Sequence, residues 1–366
     1  MELDFKDALV LTGGGTGGHF YPAVALAEAA KNKWPNRRVI FVGAKRGIEG
    51  RILPTSAWPH LLLDVEGFFG RSPARALGSV WRMLGARRCL KKIWRGQMPW
   101  AVIGTGGYGA GPALFAAMAL DIPYFIHESN AEPGLVARLA AKRARGVWLG
   151  VEAANQRLKK AKCIYAGTPV RESFLRSFAP ASGLHPPYQL LVLGGSGGAR
   201  AINNALFSIG ATLLDKYPDW EIRHQTGIQE MERLSTLPRH LRHSVVPFIE
   251  TMDVAMESAS LVLSRAGAST CSELKVVGRP AVLVPLPNSA SDHQKHNAMA
   301  YVNEGRGLMV EQGLDFQQNM YYALSKLMAD YEMRLELSRP EANMAVARCL
   351  KELETLFEFP GSIAGV

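Results

Sequence analysis

Short runs of β-branched and aliphatic residues alternate along the chain with longer stretches of helical spacing. The first run, Ala8-Leu-Val-Leu11, leads into Gly13-Gly-Gly-Thr-Gly-Gly18, and an Ala- and Leu-rich helix is expected from about Tyr21. Further runs follow at Val39-Ile-Phe-Val42, Leu61-Leu-Leu63, Ala101-Val-Ile103 and Tyr124-Phe-Ile126. They are apolar at every position rather than at alternate ones, as strands buried on both faces must be. Strand, helix, strand in repetition predicts an α/β, doubly wound parallel sheet.

The pattern restarts after Ser177-Phe-Ala-Pro-Ala-Ser-Gly-Leu-His-Pro-Pro187, whose prolines and small polar residues read as a linker. Leu190-Leu-Val-Leu193 then feeds Gly194-Gly-Ser-Gly-Gly198 and a helix from Ala199 to Leu214. Trp220–Ile222, Val245-Val246, Leu261–Leu263 and Ala281–Val284 are further strand candidates, and Met333 to Phe357 reads as helix. Each half thus opens with a strand running into a glycine loop. The expectation is two Rossmann-like domains facing a cleft where strand carboxyl ends meet. Their boundaries fall at 1–176 and 188–340, with a linker at 177–187 and a tail, 341–366, returning to the first domain.

Charge adds a feature that the pattern lacks. The 366 residues carry a formal +10, and the excess is local. Between Gly67 and Leu120 there are eight basic residues (Arg71, Arg75, Arg82, Arg87, Arg88, Lys91, Lys92, Arg95) and no acid. Arg138, Lys142, Arg143 and Arg145 form a second basic stretch, and the rest of the chain is slightly acidic. A local anionic partner fits this better than a diffusely basic coat. The four cysteines are far apart without a C-x-x-C, which excludes a compact zinc site and suits a reducing compartment. The acidic N-terminus is unlike a signal peptide, and no apolar run approaches the roughly 20 residues of a spanning helix. A cytoplasmic protein with at most peripheral membrane contact is expected.

Gly13-x-Gly15-x-x-Gly18 matches the dinucleotide fingerprint, but the next strand ends Val42-Gly-Ala-Lys-Arg46 without the acid that would hold a ribose. That disfavours NAD and leaves an NADP reading through Arg46. No P-loop occurs. Five glycines in six positions exceed what a tight turn needs, and such a loop lets an anion approach backbone N–H groups. His19 follows directly, an imidazole of a type suited to general-base work or to a merely structural place. Gly104-Thr-Gly-Gly-Tyr-Gly-Ala-Gly111 is a third glycine loop, and His127-Glu-Ser-Asn130 lies at another strand end, as a site or as a polar turn capped by Asn130 or Glu132. In the second half, Ser264 to Glu273 places small hydroxyl residues at a helix start, where N–H and Oγ groups can bind phosphate. Glu273 can take two ribose hydroxyls or simply favour the positive helix end. Asp292-His-Gln-Lys-His-Asn297 offers hydroxyl-binding Gln294 and Asn297. Asp-x-Asp is absent, so no metal or other cofactor is expected: helix N-termini and Arg would carry a diphosphate's charge.

In order, Gly14-Gly-Thr-Gly-Gly-His19, Gly106–Pro112, His127–Asn130, Gly167-Thr-Pro-Val-Arg171, Gly194–Arg200, His224–Gly227, Phe248–Met252, Ser264–Glu273 and Asp292–Asn297 resemble the MurG family of bacterial transferases, in glycosyltransferase family 28. The resemblance implies a GT-B fold and an inverting reaction. N-acetylglucosamine would pass from UDP-GlcNAc to lipid I, giving lipid II for peptidoglycan. It places donor contacts on Thr16, Gly17, Gly18, Asn130, Arg171, Ser196, Ile249, Ala268, Ser269, Thr270, Cys271, Ser272, Glu273 and Gln294. Uracil would lie near the Ile249 backbone, ribose on Glu273, pyrophosphate on Ser196 and the sugar hydroxyls on Gln294. His19 falls on the family's candidate base, and Glu128 is a second candidate. Thr168 stands where Asn is usual, and the loop before Gln294 differs in length from some relatives.

A lipid acceptor gives the basic segment a reading. Leu77, Val80, Trp81 and Leu84 share one helical face within Ser72–Arg95, with Arg75, Arg82 and Arg88 among the surrounding cations. A basic amphipathic helix with Trp reads as a contact with an anionic membrane surface, here the inner face of the cell membrane. The alternative is a core-facing helix with a solvated basic side. No nucleic-acid motif is present. Rival functions are a diacylglycerol glycosyltransferase and a non-catalytic sugar-nucleotide sensor.

Overall fold

The computed structural model describes residues 3–67, 73–175, 185–195, 197–287, 289 and 292–358, apart from the side chains of 73–76 and 357–358. The chain divides into two compact units, Met1–Glu172 with Asn343–Val366, and Ser173–Ala342. Most of the expected linker, 177–184, lies outside the described residues.

The first unit is built on a seven-stranded sheet of β1 (Leu9–Thr12), β2 (Val39–Ala44), β3 (His60–Leu63), β4 (Ala101–Gly104), β5 (Tyr124–Glu128), β6 (Gly146–Leu149) and β7 (Cys163–Tyr165). Their order is β3-β2-β1-β4-β5-β6-β7, and every pairing is parallel. Successive residues of a strand face opposite sides, so the fully apolar runs supply two cores. Val10, Ile40, Val102 and Ile126 enter one core, closed by Leu90 and Trp94 of the helix Pro73–Gly96 and by Ala113 and Leu114 of Gly111–Ala119. Leu9, Leu11, Phe41 and Ile103 enter the other, closed by Leu26 of Gly17–Lys33 and by Cys349, Leu350 and Leu353 of Ala345–Glu358. Burying one such Leu or Phe side chain contributes about 1.5–3 kcal/mol.

The second unit repeats the plan with β8 (Tyr188–Leu193), β9 (Trp220–Gln225), β10 (His243–Val246), β11 (Leu261–Ser264), β12 (Ala281–Leu283) and β13 (Gly307–Met309). Their order is β10-β9-β8-β11-β12-β13, again parallel throughout. Renumbered within the unit this is 3-2-1-4-5-6, the order of the first unit's leading strands. In such sheets the strand order reverses beside the first strand, and the loops leaving the carboxyl ends there diverge to leave a crevice.

Several expectations are corrected. The first helix begins at Gly17, not Tyr21, so the last residues of the glycine loop form its opening turn. The tail is not one helix: Tyr331–Leu337 and Ala345–Glu358 are separated around Pro340, which has no N–H to continue the ladder. The polar turn after β5 is capped neither by Asn130 nor by Glu132. Its helix, Leu135–Ala140, starts after Gly134, whose N–H donates to Glu128 Oε2 at 3.0 Å.

Candidate functional site

In the first unit, the loops after β1 and β4 meet at the reversal point. Gly14 N–H donates to Gly106 O (3.2 Å), Thr105 N–H to Thr12 O (2.8 Å), and Thr105 Oγ1 to His19 O (2.7 Å). The two glycine loops therefore form one body. Gly106 has φ of +100°, and a Cβ there would sit 2.6 Å from the His19 ring, so the imidazole lies across bare backbone. Thr16 caps the helix with extended backbone, and its Oγ1 lies 3.2 Å from His19 Nδ1. Thr16, Gly17, Gly18 and His19 thus share one partly exposed turn at a helix N-terminus, where the dipole favours anions.

Three residues that the sequence reading did not single out shape this turn: Thr105, Tyr108 and Glu49. Gly13 makes room for Thr105, Gly15 for the Tyr108 ring, and Gly14 for the Glu49 carboxylate. Glu49 is fully buried, and burial raises its carboxyl pKa against the opposing effect of N–H groups from its own residue, Gly15 and Ala44. The glycine-rich surroundings, Gly43, Gly47 and Gly50, were its sequence signal. Arg46, the NADP candidate, is committed to an ion-pair cluster with Glu66 (3.0 Å) and Asp64 (3.5 Å).

At the end of β5, Glu128 is 2% exposed. Burial raises its carboxyl pKa, while N–H groups of Gly134 and Asn130 and the Asn130 amide counter this. The carboxylate holds the 128–134 loop and orients Asn130, whose N–H and Nδ2 both donate to Oε1 (3.0 and 3.2 Å). His127 is fully buried against Gly167 O (2.9 Å), and burial lowers its pKa to about 4, so it stays neutral. Of His19, Glu49, Glu128 and His127, His19 is the one that is partly exposed rather than buried. Arg171 lies over the Tyr21 ring of the first helix at 4.2 Å.

The second unit brings together a second set. The loop after β8 holds Gly195 and Gly197, beside whose backbones an added Cβ would meet nothing within 4 Å. Ser196 lies outside the described residues. The neighbouring loop, after β11, runs into the helix Ala268–Val277, whose N-cap Gly267 provides no side-chain cap. First-turn N–H groups lack intrahelical acceptors by construction. Ala268, Thr270 and Ser272 are partly exposed, while Ser269, Cys271 and Glu273 are buried. Burial pushes the Cys271 thiol up to about 12, so it carries no charge. Gln225, part of the His224–Gly227 motif but given no role by the sequence, ties the unit's parts together: Nε2 donates to Gly195 O (3.3 Å), and Oε1 accepts from Ile249 N–H (3.0 Å). Gln294 opens the helix His293–Asn303, and its Oε1 accepts from Leu286 N–H at 3.0 Å. The loop before it falls partly on 288, 290 and 291, outside the described residues.

The helix Pro73–Gly96 packs on the core through a different face from the apolar one its sequence singles out. Ser79, Met83, Leu90 and Trp94 face the core, whereas Leu77 is 60% exposed, Trp81 61% and Val80 44%. The apolar stripe is therefore not the core-facing one. Leu84 is half-buried and Arg88 exposed, and Arg82 is held by Glu66 (3.5 Å) and Asp64 (3.7 Å). Arg75 lies on this helix, but its side chain is outside the described ones. No helix among the described residues is long and apolar enough to cross a membrane.

Comparison with known proteins agrees with this division. Residues 9–149 match the glycosyltransferase family 28 N-terminal domain and 189–353 its C-terminal domain. The UDP-N-acetylglucosamine–N-acetylmuramyl-(pentapeptide) pyrophosphoryl-undecaprenol N-acetylglucosamine transferase of Syntrophotalea carbinolica is 41% identical, over 83% of this chain and 85% of its own. The transferase of the same name from Carboxydothermus hydrogenoformans is 33% identical over 96% of both chains. Among solved structures, Acinetobacter baumannii MurG superposes with a TM-score of 0.68 at 27% identity, covering 95% of this chain and 99% of that one. A UDP-GlcNAc 2-epimerase from Neisseria meningitidis shares the fold at 15% identity, with a TM-score of 0.63 over 95% of this chain and 99% of that one. With two parallel-sheet units of GT-B type and relatives matching nearly end to end, this chain belongs to the MurG family of glycosyltransferase family 28.

Proposed function

We propose that the protein transfers N-acetylglucosamine from UDP-GlcNAc to the 4-hydroxyl of the N-acetylmuramyl unit of lipid I, forming lipid II with inversion at the sugar's C1. The observation that carries this is the placement of a glycine loop and a partner loop at the reversal point of each sheet. The second unit binds the donor: Glu273 takes the ribose, the Ile249 backbone the uracil and Gln294 the sugar hydroxyls. The pyrophosphate rests on the loop at 194–198 and on the first turn from Ala268 to Ser272. In the first unit, Asn130, Arg171, Thr16, Gly17 and Gly18 complete the polar contacts and His19 removes the acceptor proton.

The oxygen so activated attacks C1 while the bond to the UDP oxygen breaks, and the β-phosphate takes the charge. Preorganised N–H donors aimed at such developing charge act without reorganising during the reaction. Helix N-termini and Arg supply this stabilisation without a metal in our reading. Buried Glu128 serves by orienting Asn130, not as the base.

The exposed Leu77–Val80–Trp81 stripe, with Leu84, Arg88 and the neighbouring cations, supports a peripheral contact with an anionic membrane surface, where a lipid-linked acceptor resides. Each cation near such a surface contributes about 1 kcal/mol. Label supplied as UDP-GlcNAc is expected in a lipid I analogue, and label supplied as UDP-glucose is not. Transfer of glucose to diacylglycerol instead would overturn the assignment.

A further inference from the structure

Among the described residues, Glu49 is a fully buried carboxylate packed against the glycine loop that leads to the candidate base, and neither the family resemblance nor the mechanism above uses it. Its Oε2 accepts Gly15 N–H at 2.9 Å. Its Oε1 accepts the same N–H at 3.1 Å and Ala44 N–H, from the end of β2, at 3.0 Å. Four glycines from three segments close around the group. An added Cβ would lie 2.0 Å from the carboxylate at Gly14, 2.3 Å at Gly47 and 2.9 Å at Gly109, and 2.6 Å from Cγ at Gly43. The bare backbone at these four positions makes the room that the Glu49 side chain occupies. Burying such a group costs free energy unless hydrogen bonds offset it, so a purely packing role would be served better by an apolar side chain. Beyond filling space, the carboxylate ties the N–H of Gly15, a residue at φ +88° one position before Thr16, to that of Ala44.

We propose that Glu49 is a positioning residue for the transfer step: by holding Gly15 N–H to the end of β2, it fixes the turn that carries Thr16 and His19. The inference rests on the transferase reading above. Glu49→Gln keeps size and shape but replaces one accepting oxygen by a donor, which faces Gly15 N–H or withdraws from it. Misplacement of a catalytic group by about 1 Å can cost about 10²-fold, and residues acting through one another are non-additive.

The test is a double-mutant cycle with His19→Ala, using transfer from UDP-GlcNAc to a short-chain lipid I analogue. Expected is a loss in kcat of about tenfold or more for Glu49→Gln in the wild-type background. In the His19→Ala background the loss in kcat is expected to shrink to less than about twofold, whatever the change in the KM for UDP-GlcNAc, because Thr16 rides on the same turn. An unchanged kcat, or the same loss in both backgrounds, overturns the proposal. If Glu49→Gln does not fold, Glu49→Asp, which keeps the charge but withdraws it by one methylene, is read by the same criteria. A wild-type protein without transfer would instead overturn the transferase reading.

Discussion

The two glycine loops look alike in sequence and are built for different work. In the first, Gly13, Gly14 and Gly15 are filled from below by Thr105, Glu49 and Tyr108, and the loop presents a side chain, His19. In the second, Gly194 and Gly198 are closed in by neighbouring backbone, while Gly195 and Gly197 have open space beside them. One is braced by packed side chains beneath it; the other leaves open backbone, and in the proposed function these differences suit a base and an anion respectively. A glycine count does not separate these uses, but what each missing Cβ would touch does.

The comparison can be broken most severely at His19. Replacing it with Ala is expected to lower kcat by about 10²–10⁴ while donor KM stays near wild type, read from steady-state transfer. Turnover that survives would reduce the first loop to a structural element. Next come the glycines themselves. Gly14→Ala must displace the bonded Glu49 carboxylate and should cost about 3 kcal/mol or more. Gly197→Ala meets open space and should stay within about 0.5 kcal/mol of wild type. Thermal or urea unfolding checks both, and equal costs would erase the distinction between the loops. Glu273→Ala should act oppositely to His19→Ala, raising donor KM through loss of charge-assisted bonds of about 1.5–3 kcal/mol each.

A last effect is a dependence on acidity, read in stability rather than in turnover. In the second unit, His224 and His243 stack with Nδ1 and Nε2 3.3 Å apart, and burial lowers their pKa values to about 3 and about 4. Unfolded histidines titrate near 6.5, so as pH falls below about 6.5 the unfolded chain binds protons first. Stability is then lost as pH falls from about 6.5 toward the folded pKa values. Neutral His127 contributes in the same direction in the first unit. Raised carboxyls at Glu49 and Glu128 run the other way, their contribution declining as pH rises through their folded pKa values. Melting curves between pH 7 and 4 should show the loss, and His243→Gln should flatten it.

Much of this architecture was legible because strands buried on both faces must be apolar throughout: β1, β2, β4, β5, β8 and β11 stand out as such runs. The sequence reading passed over β6, β7 and β13. β6 (Gly146–Leu149) follows a basic stretch and opens with Gly, and so does the three-residue β13 (Gly307–Met309), while β7 (Cys163–Tyr165) is also only three residues long. The helix start at Gly17 was hidden because two glycines weaken helix propensity by about 1 kcal/mol each, and tertiary contacts override that. His19, Glu128 and Glu273 were visible as polar residues at strand ends or helix starts. Glu49 was not, since a buried carboxylate contradicts the hydropathy pattern and only its glycine neighbours betray it. Gln225, linking Gly195 to Ile249, depends on residues distant in sequence and becomes visible only once β9 lies beside β8.

The most direct test of the account is the initial rate of transfer from UDP-GlcNAc to a short-chain lipid I analogue, followed as disaccharide product together with released UDP. The account predicts equal amounts of both, with the new sugar in β linkage. Tight UDP binding with no disaccharide formed would contradict it and leave a sugar-nucleotide sensor in its place.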